Sequence, residues 1–171
     1  MIGTDYAAAP ACGMLAANCA VCGRPLLDAR SVETGIGPDC RRKHGVPNSL
    51  SDEARTEANL IVWQIAHDQT AKSGQITRLI EIGATQVAIK IGRRFFKTIE
   101  VWPATSTGRI QVLTPYNPDF VAAIKTLCKS RRFEVATKTW TVAQSDRSNL
   151  WSAIRRACSG WLLISNRPRI I

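Results

Sequence analysis

Two pairs of metal-ligand residues constrain this chain more than any other feature: Cys19-Ala-Val-Cys22 and Cys40-Arg-Arg-Lys-His44, with seventeen residues, 23 to 39, between them. A tetrahedral Zn2+ takes four sulfur or nitrogen ligands, and a two-residue spacer lets one tight turn aim two thiolates at the same ion. Gly23 follows the second cysteine and suits that turn, because glycine tolerates positive φ. Pro38 can open a helix near Cys40, and the three-residue gap then puts Cys40 and His44 on one face, a turn apart. A knuckle, a short hairpin through Leu26 to Thr34 and a helix bearing the second pair make a treble-clef-like module over residues 19–46. Zn2+ held by Cys19, Cys22, Cys40 and His44 is then structural.

Buried thiols and disulfides are the other uses of clustered cysteines. The apolar run Ala7 to Ala17 lacks a basic segment before it and is broken by Pro10 and Gly13, so it does not read as a secretory leader. A reducing, cytoplasmic setting favours metal over disulfides. A catalytic zinc needs an open coordination position and a nearby base. Four protein ligands leave no opening, and no Glu stands beside His44. Cys12 can exchange with a ligand or have no role, and Cys128 and Cys158 read as core thiols.

Charge divides the chain. Residues 1–87 carry 8 Lys/Arg and 9 Asp/Glu, whereas 88–171 carry 15 and 4, so the second part holds a net +11. A segregated excess implies a basic face, for which nucleic-acid phosphate is the commonest partner, ahead of acidic proteins and anionic membranes. An apolar content of 45% is that of a folded chain, and no apolar run reaches membrane-spanning length.

Residues 1–18 read as a loosely held Ala-rich arm, and 47–83 as a helical linker. In that linker Ser51 caps a helix to about Gln69, and a short helix follows over Ile76 to Ile82. Residues 84–171 read as a basic α+β unit, an antiparallel sheet with two helices. The alternation in Thr85–Ile91 and Phe96–Trp102 predicts two strands joined at Gly92-Arg93-Arg94, with Arg109–Leu113 a third. Asn117 and Pro118 open a helix. Arg132–Val135 and Thr139–Val142 form a hairpin, Ser145 or Asp146 caps a last helix, and Trp161–Ile164 is a final strand or tail.

Within this unit Tyr116, Lys125, Ser130-Arg131, Phe133-Glu134, Lys138 and Trp140 form a pattern that resembles the HARP domain. That domain accompanies the motor of annealing helicases, which rewind single-stranded DNA at forks. The pattern departs from it by one extra residue between Lys125 and Arg131, and by Cys128 where proline is common. Separately, Cys22-Gly-Arg-Pro-Leu26, Ser31 and Gly35-Ile-Gly-Pro-Asp-Cys40 resemble a small phage and bacterial zinc domain of unknown function.

The residues support a binding reading by themselves. Lys125 and Lys129 share a helical face, and Arg131, Arg132 and Lys138 follow on the hairpin. These five cations near one sheet face can contact phosphates, while Tyr116, Phe133 or Trp140 can stack on a base. Phe133 and Trp140 can equally be core partners across the hairpin. Arg93, Arg94 and Lys97 form a second basic site at a hairpin tip, where a solvated turn is the plain alternative. The chain has no G-x4-G-K-[S/T] motif for a helicase motor. Its basic half has four scattered acids and no histidine, which leaves a nuclease without metal ligands. A non-catalytic, zinc-containing nucleic-acid-binding protein is therefore expected, with DNA favoured over RNA. The alternative is a phage- or plasmid-type interaction protein, or a small subunit of a CRISPR-type nucleoprotein complex.

Overall fold

The computed structural model describes residues 15–104 and 107–171. Cys12 and most of the expected arm lie outside the described residues. Residues 15–18 are held in place: Ala16 is fully buried and Asn18 bridges to Pro25.

The knuckle after Asn18 is closed by two backbone hydrogen bonds of 2.9 Å, from Cys19 N–H to Arg24 O and from Gly23 N–H to Cys19 O. Gly23 has φ +76°, the conformation that this turn requires. The hairpin expected from Leu26 to Thr34 is instead a helix, α1 (Ala29–Thr34). Asp28 decides this by accepting the Ser31 N–H at 2.9 Å, an N-cap that turns the chain before it can extend. Helix α2 (Pro38–His44) begins at its proline. Helix α3 (Asp52–Asp68) is capped by Ser51 and buries Ala58, Ile61, Val62, Ile65 and Ala66, a single stripe. Helix α4 (Ser73–Glu81) follows.

The largest departure from expectation lies next. Residues 85–91 are not a strand, and Arg93-Arg94 is not a hairpin tip. The segment is one helix, α5 (Thr85–Phe95), with both arginines in its last turn. Val87, Ile89 and Ile91 alternate as in a strand, but the buried set is Val87, Ala88, Ile91 and Gly92, which has helical spacing. The two small residues settle the conformation, because they let α5 lie close against its neighbours.

The sheet has six strands in the order β3-β4-β2-β1-β5-β6. Strands β1 (Thr98–Ala104) and β2 (Arg109–Leu113) precede helix α6 (Pro118–Leu127). Strands β3 (Arg132–Glu134) and β4 (Thr139–Ala143) lead through a 3-10 turn into helix α7 (Arg147–Ala157). Strands β5 (Leu162–Ile164) and β6 (Arg169–Ile170) complete it. The sheet is mixed rather than antiparallel, since β5 runs parallel to β1 with Leu163 opposite Ile99. The chain crosses over through α7 before it enters the sheet, and a crossover is what parallel pairing needs.

Helices α6 and α7 cover one sheet face, where Phe120, Ile124, Leu150 and Ile154 pack with Ile99, Val112, Val142 and Leu163. On the opposite face Leu162 and Ile164 join a second cluster with α3, α4, α5, Ala16 and Cys19. Strand β5 is thus buried on both sides, and it couples the two halves of the chain. Among the described residues no helix is long and apolar enough to cross a membrane.

Candidate metal centre and nucleic-acid interface

The knuckle and the first turn of α2 bring the Sγ atoms of Cys19, Cys22 and Cys40 within 4.8 Å of one another, and none is in a disulfide. Three sulfurs sharing one tetrahedral zinc at about 2.3 Å stand about 3.8 Å apart, so the cluster fits one ion. Burial alone would push the Cys19 thiol up. Hydrogen bonds from the backbone N–H groups of Gly37, Cys22 and Val21, and from the Cys22 side chain, hold it below the usual cysteine value. Cys40 is pushed up to about 12, by burial first, then by its hydrogen bond to Cys22 and the charges on Cys19 and Cys22. Three thiols compete here for negative charge, a conflict that a dication relieves.

His44, the fourth ligand expected, ends α2 and lines the same pocket, but its ring nitrogens lie outside the cluster that the three sulfurs form. Burial, then the charges of Lys90 and Lys43, push its imidazole toward the neutral form, the form that binds metal.

The sequence reading missed what holds the knuckle in place. Arg94 donates from Nη1 to Cys19 O at 2.5 Å and Ala20 O at 3.1 Å, and from Nη2 to Gln69 Oε1 at 2.7 Å. Its guanidinium also stacks on Phe95, 4.6 Å from the ring centroid. A Cβ on Gly23 would stand 3.0 Å from Nη2, so a side chain there would press on the bonded guanidinium as well as strain the turn. Behind the centre, Arg41 reaches the fully buried Ser31 hydroxyl at 2.8 Å and Ile36 O at 3.0 Å. No local signal in the sequence marks Arg94, because its partners lie 25, 74 and 75 residues away.

The other basic positions divide into bound and exposed. Arg93 pairs with Glu100 at 2.9 Å, and Lys97 lies 5.6 Å from the Trp161 ring centroid. Arg131 donates to Cys128 O at 2.7 Å. Lys125, Lys129, Arg132 and Lys138 are exposed, and Tyr116 is 85% exposed. The five hairpin and helix cations do not share one sheet face. Arg132 pairs with Thr141 and Phe133 with Trp140, so strand alternation sends Arg132 to the face opposite α6 and α7, whereas Lys125 sits on α6 itself. Arg132 lies on the outermost strand β3, which is solvent-exposed along its whole length, whereas Lys138, in the turn after it, lines a shallow pocket with Thr98 and Glu100 of β1 and Leu113 of β2. Phe133 and Trp140 contact each other at 4.9 Å with a 50° tilt. Trp140 packs on the core, and Phe133 remains 48% exposed.

Ser130, the serine of the Ser-Arg pair, has an internal role. Its N–H and hydroxyl reach Asp146 Oδ2 at 2.7 and 2.6 Å, and its oxygen accepts the Ala143 N–H at 2.9 Å. Arg109 donates to Ser130 O and to Thr141 Oγ1. Asn117 caps α6 with its oxygen and donates from Nδ2 to Ala157 O at 3.0 Å, which locks α6 to the end of α7. These bonds position the exposed β3 edge.

Comparison with known families gives two matches that do not overlap. Residues 9–45 match a family of unknown function (DUF6011), and residues 110–160 match HepA-related protein (HARP). No curated protein and no solved structure matches the chain.

Proposed function

We propose that this chain is a non-catalytic, zinc-containing protein that binds nucleic acid, with DNA in single-stranded or junction form as its ligand. The HARP-like unit grips phosphates through Lys125, Lys129, Arg131, Arg132 and Lys138 around the β3 edge, with Lys97 and Arg93 as outer contacts. Tyr116 and Phe133 are the stacking platforms, while Trp140 supports Phe133 from below. Arg94 braces the knuckle instead of meeting phosphate. Zn2+ is bound by Cys19, Cys22, Cys40 and His44, and its role is to fold the N-terminal module.

What carries the reading is a concentration within the HARP-matching residues 110–160: the exposed cations Lys125, Lys129, Arg132 and Lys138 and the exposed rings Tyr116 and Phe133 all fall on β3 and the segments flanking it in the chain, between residues 116 and 138. Base stacking contributes about 1–3 kcal/mol per base and needs no particular sequence. The test is fluorescence anisotropy of zinc-loaded protein with labelled single-stranded, duplex and forked DNA at two salt concentrations. Tight, salt-sensitive binding with a fork or single strand ranked first is expected. The variant Lys125→Ala/Lys129→Ala/Arg132→Ala should flatten the slope of log K against log[salt] by about two units with zinc content unchanged. Absence of binding at low salt would overturn the reading.

The backbone edge of β3, unpaired among the described residues and with Val135 76% exposed beside it, favours a second reading, an acidic protein partner that adds a strand there. A partner that survives high salt and is not displaced by DNA would favour that reading.

A further inference from the structure

The opening over the metal cluster is lined by three cations from three different elements: Arg24 from the knuckle, Lys43 from α2 and Lys90 from α5. Arg24 and Lys43 are exposed and Lys90 is half-exposed. The acid in the lining, Asp39, is paired with Arg42 at 2.8 Å. A Zn2+ bound by three thiolates and one neutral imidazole carries one negative charge. Three cations exceed what that centre needs, so the opening stays positive when the metal is bound. The even charge balance of residues 1–87 conceals this. Five of its nine acids, Asp52, Glu53, Glu57, Asp68 and Glu81, lie on α3 and α4 and outside the lining, and Lys90 enters from beyond residue 87.

We infer that the mouth of the metal centre is a second phosphate-contact site, in which Arg24, Lys43 and Lys90 hold the backbone of the same nucleic acid that the β3 edge engages. The inference rests on the nucleic-acid reading above and adds a second contact to it. Val21, Pro25 and Leu26 supply an apolar wall beside the cations, suited to a sugar or base edge. The metal shapes the site because it fixes the knuckle and α2 relative to each other. It makes no contact with the phosphate.

The test is lysine acetylation of the wild-type, zinc-loaded protein with and without a forked oligonucleotide, read by mass spectrometry. Protection of Lys43 and Lys90 together with Lys125, Lys129 and Lys138, while the exposed Lys72 stays reactive, is expected. Protection confined to Lys125, Lys129 and Lys138 overturns the inference and leaves the proposed function standing. No protection anywhere, with no binding by anisotropy, removes the proposed function and this inference with it. The variant Arg24→Ala/Lys43→Ala/Lys90→Ala then adds a magnitude. Three lost contacts at about 0.7 each on a single strand lower the salt slope by about two units. An unchanged slope with weakened zinc retention would show that these cations serve only the metal's charge.

Discussion

Arg94 joins three parts of the molecule that are remote in sequence. Removing it leaves the Ala20 carbonyl and Gln69 Oε1 without this donor, and takes from the Cys19 carbonyl one of its two donors, the Gly23 N–H remaining. Arg94→Ala should therefore destabilise the protein by about 2–3 kcal/mol, read as a shift of the denaturation midpoint. Arg94→Lys should recover little, since one ammonium cannot reproduce the planar fork. Asp146 gives a pH signature. Hydrogen bonds from the Ser130 hydroxyl and N–H, then from Asn149, hold its carboxyl below the ordinary value of 3.8. Its stabilisation is thus complete above that value and fades as pH falls through the lower folded one. Asp146→Asn should reduce stability at neutral pH and flatten the loss that sets in as pH falls below about 3.8. Acid titrations of the two proteins followed by circular dichroism would show it, and parallel curves would contradict it.

Helix α5 shows how much of the fold the sequence allowed one to read. The caps Ser51 and Asn117, the Pro-led helices α2 and α6, and the β3–β4 hairpin were legible because each is decided by residues a few positions apart. The same holds for the cysteine cluster. Helix α5 was not, because alternation and helical spacing share positions 87 and 91, and the deciding residues are small ones that a hydropathy pattern underweights. The parallel entry of β5 and the partners of Arg94 were illegible for a related reason, being long-range contacts. Gly92 tests this account. Alanine there gains about 0.5–1 kcal/mol of helix propensity, but its Cβ runs into the side chain of Leu162, which is fully buried and cannot swing away. Overpacking costs about 1–3 kcal/mol, so Gly92→Ala should lower the thermal midpoint. A rise would mean that α5 and β5 are less closely packed than described.

At the scale of the whole molecule the metal centre and the sheet belong to one body, because Cys19 and Ala16 share a cluster with Leu162 and Ile164. Removing the proposed zinc with a chelator should therefore lower a single unfolding transition, visible both in far-ultraviolet ellipticity and in the fluorescence of Trp140 and Trp161. Two transitions, the later one unmoved, would show that the halves fold independently. The placement of β5 also bears on how the protein is made. The strand that seals both apolar layers is synthesised some sixty residues after its neighbour β1. Until it emerges from the ribosome, the places of Leu162 and Ile164 in the cluster with α3 to α5 stay unfilled, as does the place of Leu163 under α6 and α7, and the edge of β1 that it pairs with stays open. Translation through this stretch is the window in which a nascent chain is most open to chaperone capture or aggregation.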